Sequence, residues 1–241
     1  VHLARIEDGM EIVDIACGTG MTTAAILSGG ANIGHIYAVD AAEAMLAVAR
    51  SNIKTSTVSF HGAQAEQVAQ IIPNKIDRVL CNSAFWQVDA AQTLGAIKQI
   101  LKPDGLFIFN LPDMFGVNKS QQGMPNIRRM MRQLAENEYG FRFPEMYPSQ
   151  PSPILSGKDA VLALLREHGY GIQHYEQIAY RDNAQATHAF YSIPIMTERA
   201  LPNIEYATRI EILHKVFSRL DIAPNQETET VWDYYSVQIG V

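Results

Sequence analysis

The feature that most constrains the fold is the segment Val13–Gly20, VDIACGTG in one-letter code, followed twenty residues later by Asp40. It reads as an apolar strand, a loop with two glycines, a helix, and a second apolar strand that ends in a carboxylate. Glycines let a backbone approach a ligand closely because they carry no Cβ. An acid at the tip of the second strand can accept hydrogen bonds from both hydroxyls of a ribose. The order therefore predicts a site for a nucleoside-containing cofactor.

Two classes of cofactor compete for such a loop. A dinucleotide site favours a third glycine three residues after the second, and Thr23 stands at that position. Asp14 lies four residues before Gly18, where a carboxylate would repel a pyrophosphate but could pair with a cationic group such as an ammonium. These two residues favour a cofactor with a methionine-like part. A nicotinamide-dependent oxidoreductase stays the weaker alternative.

Four further segments follow the glycine loop in a fixed order. They are DAAEAMLAVAR at 40–50, AQAE at 63–66, VLCNSAFWQV at 79–88 and LKPDGL at 101–106. With the loop, they resemble the class I S-adenosylmethionine-dependent methyltransferases, in particular the small-molecule branch called methyltransferase type 11. The resemblance extends from about residue 11 to the C-terminus. Ala42 stands where the family usually has a Ser, and the departure that matters is Gln64, where the family usually has an Asp.

The resemblance implies that S-adenosyl-L-methionine is the cofactor. Asp40 would bind its ribose, and the amide oxygen of Gln64 would accept the adenine amino hydrogen bond without a charge. The backbone N–H of Ala65 would bind the adenine ring. The expected cofactor-binding residues are Asp14, Ala16, Cys17, Gly18, Thr19, Gly20, Asp40, Ala41, Met45, Gln64, Ala65, Glu66, Asn82 and Ser83.

The alternation of strands and helices predicts an α/β fold with a largely parallel sheet. The expected strands cover residues 11–16, 35–40, 57–61, 76–82, 105–110, 172–180 and 230–239. Combined with the resemblance, this predicts a Rossmann-like, seven-stranded, mostly parallel sheet with an antiparallel last strand and helices on both faces. We expect a single methyltransferase domain over 1–241, with a cap insertion at 111–156 after strand 5 and a helical insertion at 183–220 between strands 6 and 7.

Both insertions are expected to select the substrate. In the first, a helix over 125–138 would present an apolar face with Ile127, Met130, Met131 and Leu134, and arginines on the other side. This pattern is typical of a packed surface helix and also of a cap over an apolar ligand. The candidate substrate-binding residues are Phe85, Trp86, Met130 and Tyr191, with core packing as the alternative reading of the two aromatic residues at 85 and 86.

Methyl transfer from a sulfonium is an in-line displacement, in which positioning supplies most of the catalysis. A general base is needed only when the acceptor is a neutral hydroxyl or an acidic carbon. Of the seven histidines, His188 in the second insertion is the candidate base. The sequence leaves open whether oxygen, nitrogen or carbon is methylated, and a catalytically silent binding protein stays a second hypothesis.

Composition limits the remaining choices. The 241 residues carry a net charge of −6, which disfavours a nucleic-acid partner. The two cysteines, Cys17 and Cys81, form no disulfide framework or metal-ligand pattern, so we expect reduced thiols, no metal and a cytoplasmic protein. No segment is long and apolar enough for a membrane span, and no signal peptide is visible. The chain begins with Val1, and the resemblance implies one or two further N-terminal helices. Oligomeric state is not encoded in these patterns.

Overall fold

A seven-stranded sheet organises the computed structural model, which describes residues 1–112, 127–143, 154, 157–220 and 227–240. Its strands are β1 (Glu11–Ile15), β2 (His35–Asp40), β3 (Val58–Gly62), β4 (Ile76–Cys81), β5 (Leu101–Pro112), β6 (Tyr170–Asn183) and β7 (Glu227–Ile239). Their order in the sheet is β3-β2-β1-β4-β5-β7-β6.

The first five strands pair in parallel, and β7 is antiparallel to β5, with Phe109 opposite Tyr235. The strand order reverses beside β1: strands β2 and β3 lie on one side of it, and β4 and β5 lie on the other. Ligands of open α/β sheets bind outside the carboxyl ends of the strands at such a reversal of strand order. The fold therefore directs attention to the loops that follow β1, β2 and β4.

Nine α-helices are described in the ranges given above, most of them in the segments that connect successive strands. They are α1 (Met21–Leu27), α2 (Glu43–Asn52), α3 (Val68–Ile71), α4 (Ala90–Ile100), α5 (Ile127–Tyr139), α6 (Lys158–Glu167), α7 (Ala184–Ser192), α8 (Pro194–Ala200) and α9 (Tyr206–Arg219). Helix α4 shows how the sequence sets such an element. The Asp89 side chain caps its start by accepting from the Gln92 backbone N–H at 3.0 Å, and Leu94, Ile97 and Ile100 form its buried face.

Both faces of the central strands are buried, as expected for parallel strands covered by helices. Val13, Val79 and Phe107 belong to the hydrophobic core on one face. Ile12 and Ile108, which alternate with them along the strands, belong to the core on the other face. The apolar runs that predicted these strands therefore reflect burial on two sides.

The chain divides into two compact units. The first contains the described residues within Val1–Phe115, Pro151–Ile178 and Trp232–Val241, and the second those within Gly116–Gln150 and Ala179–Val231. The second unit holds α5 and α7 to α9, and its core includes Met131, Leu134, Ile212 and Leu213. The predicted single domain with two insertions stays a prediction, although both predicted insertions contain helices of the second unit.

The predicted fold class is confirmed, including the antiparallel last strand, β7, which lies between β5 and β6 in the sheet. The strand predicted at 105–110 begins four residues earlier, at Leu101, since Leu101 already pairs with Ile76. Among the described residues, no helix is long and apolar enough to cross a lipid bilayer.

Candidate functional site

Asp40 is the last residue of β2, and two backbone amides fix its carboxylate. Oδ2 accepts from the Gly18 N–H and Oδ1 from the Ala42 N–H, each at 2.8 Å. A carboxylate offers about four acceptor positions, so positions stay available on the half-buried group for ligand hydroxyls. The arrangement ties the predicted ribose-binding acid to the predicted glycine loop.

The two glycines of the loop have different roles. Gly18 has a φ of 55°, and a Cβ added there would meet no heavy atom within 4 Å, so the backbone borders open space. Gly20 has a φ of 86°, and an added Cβ would lie 2.8 Å from Ile53 Cδ1 and 3.3 Å from Ala49 Cβ. We therefore infer that Gly18 occupies the open position that faces a ligand. Gly20 allows the loop to approach α2 closely.

Asp14 lies beneath this loop and is 1% exposed. The Thr23 hydroxyl, on α1, donates to Asp14 Oδ2 at 2.6 Å. Burial raises the pKa of Asp14 to about 7, against a usual value of 3.8. The group is therefore only partly ionised at neutral pH, and its described contact braces α1 against β1. Pairing with a cofactor ammonium stays a prediction.

The remaining residues predicted around the first two strands lie near the same edge of the sheet. Ala16, with a φ of 53°, and Thr19 are half-buried in the loop after β1. Ala41 is exposed beside Asp40, and Met45 is half-buried in α2. The cysteines at 17 and 81 are buried, and burial raises the pKa of each thiol well above its usual range. They are thus inert packing residues.

The AQAE segment follows β3 and connects two loops of the same edge. The Gln64 N–H donates to Gln67 Oε1 at 3.0 Å, and Ala65 is buried. Glu66 Oε1 accepts from the Asp89 backbone N–H at 2.7 Å, which joins the loop after β3 to the start of α4. Glu66 is therefore engaged in positioning the loop, and adenine contacts of Gln64 and Ala65 stay predictions.

The segment after β4 presents polar groups at the edge and buries an aromatic ring beneath them. Asn82 and Ser83 are exposed, and Ser83 adopts a φ of 57°. Its N–H donates to Asn110 Oδ1 at 2.6 Å. Phe85 is fully buried, with ring centroids 5.3 Å from Phe107 and 4.6 Å from Phe109. We therefore interpret Phe85 as a core residue, the second of the two readings that the sequence left open.

Three predicted site residues belong to the second compact unit. His188 is half-buried, with Nε2 at 3.2 Å from His214 Nδ1, and its ring meets Phe217 edge-on at 4.9 Å. Burial, and secondarily His214, lower the pKa of His188, which favours the neutral imidazole that a base requires. Met130 and Tyr191 pack against the core of their unit. The catalytic and substrate roles of these three residues stay predictions.

Sequence reasoning missed two residues of this region. Asn110 is 2% exposed at the carboxyl end of β5, and it holds the turn after β4 through Ser83. A polar residue that closes the apolar run 106–109 was the available signal. The sequence reasoning used Thr23 only as the residue that replaces the third glycine of a dinucleotide site. In the structure its hydroxyl donates a hydrogen bond to Asp14.

The residues of the first unit fit a nucleoside cofactor with a methionine moiety. The fixed Asp40 carboxylate provides acceptors for a diol, and Gly18 leaves the space beside it open. The loops after β3 and β4 add Gln64 and Asn82 as exposed polar side chains at the same edge of the sheet. Thr23 stands where a dinucleotide-binding loop has its third glycine, and its hydroxyl instead donates to Asp14, which disfavours a dinucleotide.

Comparisons with known proteins agree with this geometry. Residues 13–109 match the family model described as a methyltransferase domain. Malonyl-[acyl-carrier protein] O-methyltransferase 2 of Coxiella burnetii is 35% identical over 102 residues, which cover 42% of this chain and 40% of that protein. A ubiquinone biosynthesis O-methyltransferase of Aromatoleum aromaticum is 32% identical over 105 residues, which cover 42% and 44%. The chain thus spans less than half the length of these curated relatives.

The likeness in structure extends further than the likeness in sequence. An S-adenosylmethionine-dependent methyltransferase of Thiobacillus denitrificans, solved in complex with S-adenosyl-L-homocysteine, superimposes with a TM-score of 0.56. The match covers 99% of this chain and 88% of that one at 14% sequence identity. At this identity the comparison establishes a shared fold.

Proposed function

Since residues 13–109 match the methyltransferase domain family, we propose that the chain transfers the methyl group of S-adenosylmethionine to an oxygen atom of a small molecule. The predicted family and cofactor are confirmed, which removes the nicotinamide alternative. The acceptor and its nucleophilic atom are proposed on the grounds that follow.

The observation that carries the proposal is the Asp40 carboxylate, fixed by two amides next to the open face of Gly18. In this reading Asp40 holds both ribose hydroxyls, and Gln64 and the Ala65 N–H hold the adenine. When bound, the cofactor supplies a sulfonium-activated methyl group whose carbon–sulfur bond breaks as the acceptor oxygen bonds to the carbon. The chain's own task is to orient the acceptor and to exclude water.

Oxygen is preferred because the two curated relatives described above are named O-methyltransferases. A small molecule is preferred because the net charge of −6 opposes a polyanionic partner. An oxygen acceptor with a neutral hydroxyl must lose a proton, which requires a base. His188 stays the candidate for that role, and its lowered pKa is compatible with it.

The proposal is tested by incubating the protein with S-adenosylmethionine and a panel of phenols, carboxylates and amines, followed by mass spectrometry. We expect S-adenosylhomocysteine and a product heavier by one methylene with an oxygen acceptor, and neither with Asp40→Ala. Cofactor binding without turnover on any member of the panel would favour the catalytically silent binding protein. Turnover confined to amines would contradict the choice of oxygen.

A further inference from the structure

The chain contains two tryptophans, and the fold brings them together. Trp86 lies in a short 3₁₀ helix, Phe85–Gln87, directly after β4, and Trp232 lies in β7, opposite Pro112 at the end of β5. Their ring centroids are 5.7 Å apart with an interplanar angle of 54°. Both side chains are half-buried. Residues separated by 146 positions in sequence thus build one half-buried aromatic pair.

This aromatic pair belongs to the first unit and lies at the carboxyl edge of its sheet. Strand β4 pairs directly with β1, whose following loop contains Gly18. The turn that carries Trp86 and the glycine loop therefore leave neighbouring strands at the point where the strand order reverses, which is the usual ligand site of open α/β sheets. Trp232 extends this edge beyond β5.

Both indoles rest on rigid supports. The turn before Trp86 is fixed by the hydrogen bond from Ser83 N–H to Asn110, and Phe85 is buried beside it. Next to Trp232, Asp233 Oδ1 accepts from the Tyr175 hydroxyl at 2.7 Å and from Gln177 Nε2 at 2.9 Å. Aromatic rings that are held in place and partly exposed bind flat ligands at a low entropic cost, because few rotamers are lost.

We propose that Trp86 and Trp232 form the acceptor-binding wall of the enzyme and select a planar aromatic hydroxyl compound over an acyclic thioester carboxylate. The proposal rests on the proposed function, whose acceptor it specifies. Aromatic rings gain stabilisation from offset or edge-on contact with indole beyond that from buried area, whereas an acyclic carboxylate lacks this gain and would leave its charge beside an apolar surface.

The two tryptophans also provide the readout. Their fluorescence is recorded while catechol, an uncharged aromatic hydroxyl compound, or malonyl-N-acetylcysteamine is added, with and without saturating S-adenosylhomocysteine. We expect the aromatic probe to quench the emission at saturation and the thioester to leave it unchanged. Trp232→Leu should weaken the binding of the aromatic probe about tenfold, and Trp232→Phe, the matched control that keeps an aromatic ring, less than about threefold.

The outcomes separate this inference from the proposed function. Equal dissociation constants for the aromatic probe in the wild type and in Trp232→Leu would contradict the proposed acceptor-binding role of the two tryptophans. Binding of the thioester alone would contradict it as well. Calorimetric titration with S-adenosylhomocysteine is expected to give the same affinity in both variants and the wild type. No cofactor binding by the wild type would contradict the proposed function. The fluorescence response to the two probes would still show whether the two tryptophans bind an aromatic compound.

Discussion

Asp14 illustrates how one buried residue can carry both structure and a pH dependence. It is a carboxyl group at 1% exposure inside the central strand of the sheet, with a neutral hydroxyl, Thr23, as hydrogen-bond partner. Desolvation disfavours its charged form, so its pKa rises to about 7 in the folded protein. In the unfolded chain the same group titrates near 3.8.

The raised pKa predicts a loss of stability as pH increases. Between about pH 4 and pH 7 the folded state binds more protons at Asp14 than the unfolded state, so the free energy of unfolding falls as pH rises. Asp14→Asn removes this titration and keeps an acceptor for Thr23. We expect the wild type to lose roughly 1–4 kcal/mol relative to the variant between pH 5 and pH 8. Urea unfolding at both pH values measures this, and a constant difference would refute the assignment.

At the scale of elements, the site depends on how closely the glycine loop and α2 approach. Gly20 combines a φ of 86° with a Cβ position 2.8 Å from Ile53 Cδ1 and 3.3 Å from Ala49 Cβ, whereas Gly18 has a φ of 55° and no heavy atom within 4 Å of its Cβ position. The two glycines of one motif are therefore expected to respond differently to the same substitution.

Gly20→Ala should lower the free energy of unfolding by roughly 2–4 kcal/mol, because left-handed strain adds to overpacking against α2. Gly18→Ala, the matched control, should lower it by about 1–2 kcal/mol from the backbone conformation alone. Denaturant unfolding of both variants provides the comparison. If Gly18→Ala destabilises as much as Gly20→Ala, the packing role assigned to Gly20 is wrong.

In the molecule as a whole, we expect the cofactor at the edge of the sheet formed by the carboxyl ends of the parallel strands in the first unit. The turns at the opposite edge, such as the one in which the Gly9 N–H donates to the Asn32 carbonyl, should not sense it. Hydrogen exchange should therefore slow on addition of S-adenosylhomocysteine in 16–20, 40–42, 63–66 and 82–88. Exchange in 7–10 and 30–34 should stay unchanged, and equal protection at both edges would contradict this location.

Much of this arrangement could be predicted from the sequence because it depends on local patterns. Apolar runs located the parallel strands, and the glycine loop with Asp40 predicted the candidate site. The contact between Trp86 and Trp232 and the bond from Ser83 to Asn110 could not be predicted, because they join distant positions through strand pairing. The burial that shifts the pKa of Asp14 likewise arises only when helices cover both faces of the sheet. The functions predicted for His188, Met130 and Tyr191 stay predictions.

The binding of the cofactor ribose by the Asp40 carboxylate is tested by isothermal titration of S-adenosylhomocysteine. Asp40→Ala removes the acceptor of both hydroxyls and should weaken binding by roughly 2–4 kcal/mol. The matched control is Asp77→Ala at the opposite end of the same sheet, where the carboxylate accepts from the Glu11 N–H at 2.9 Å. That variant should bind with wild-type affinity. An unchanged dissociation constant in a folded Asp40→Ala variant, or equal weakening in both variants, would contradict the account.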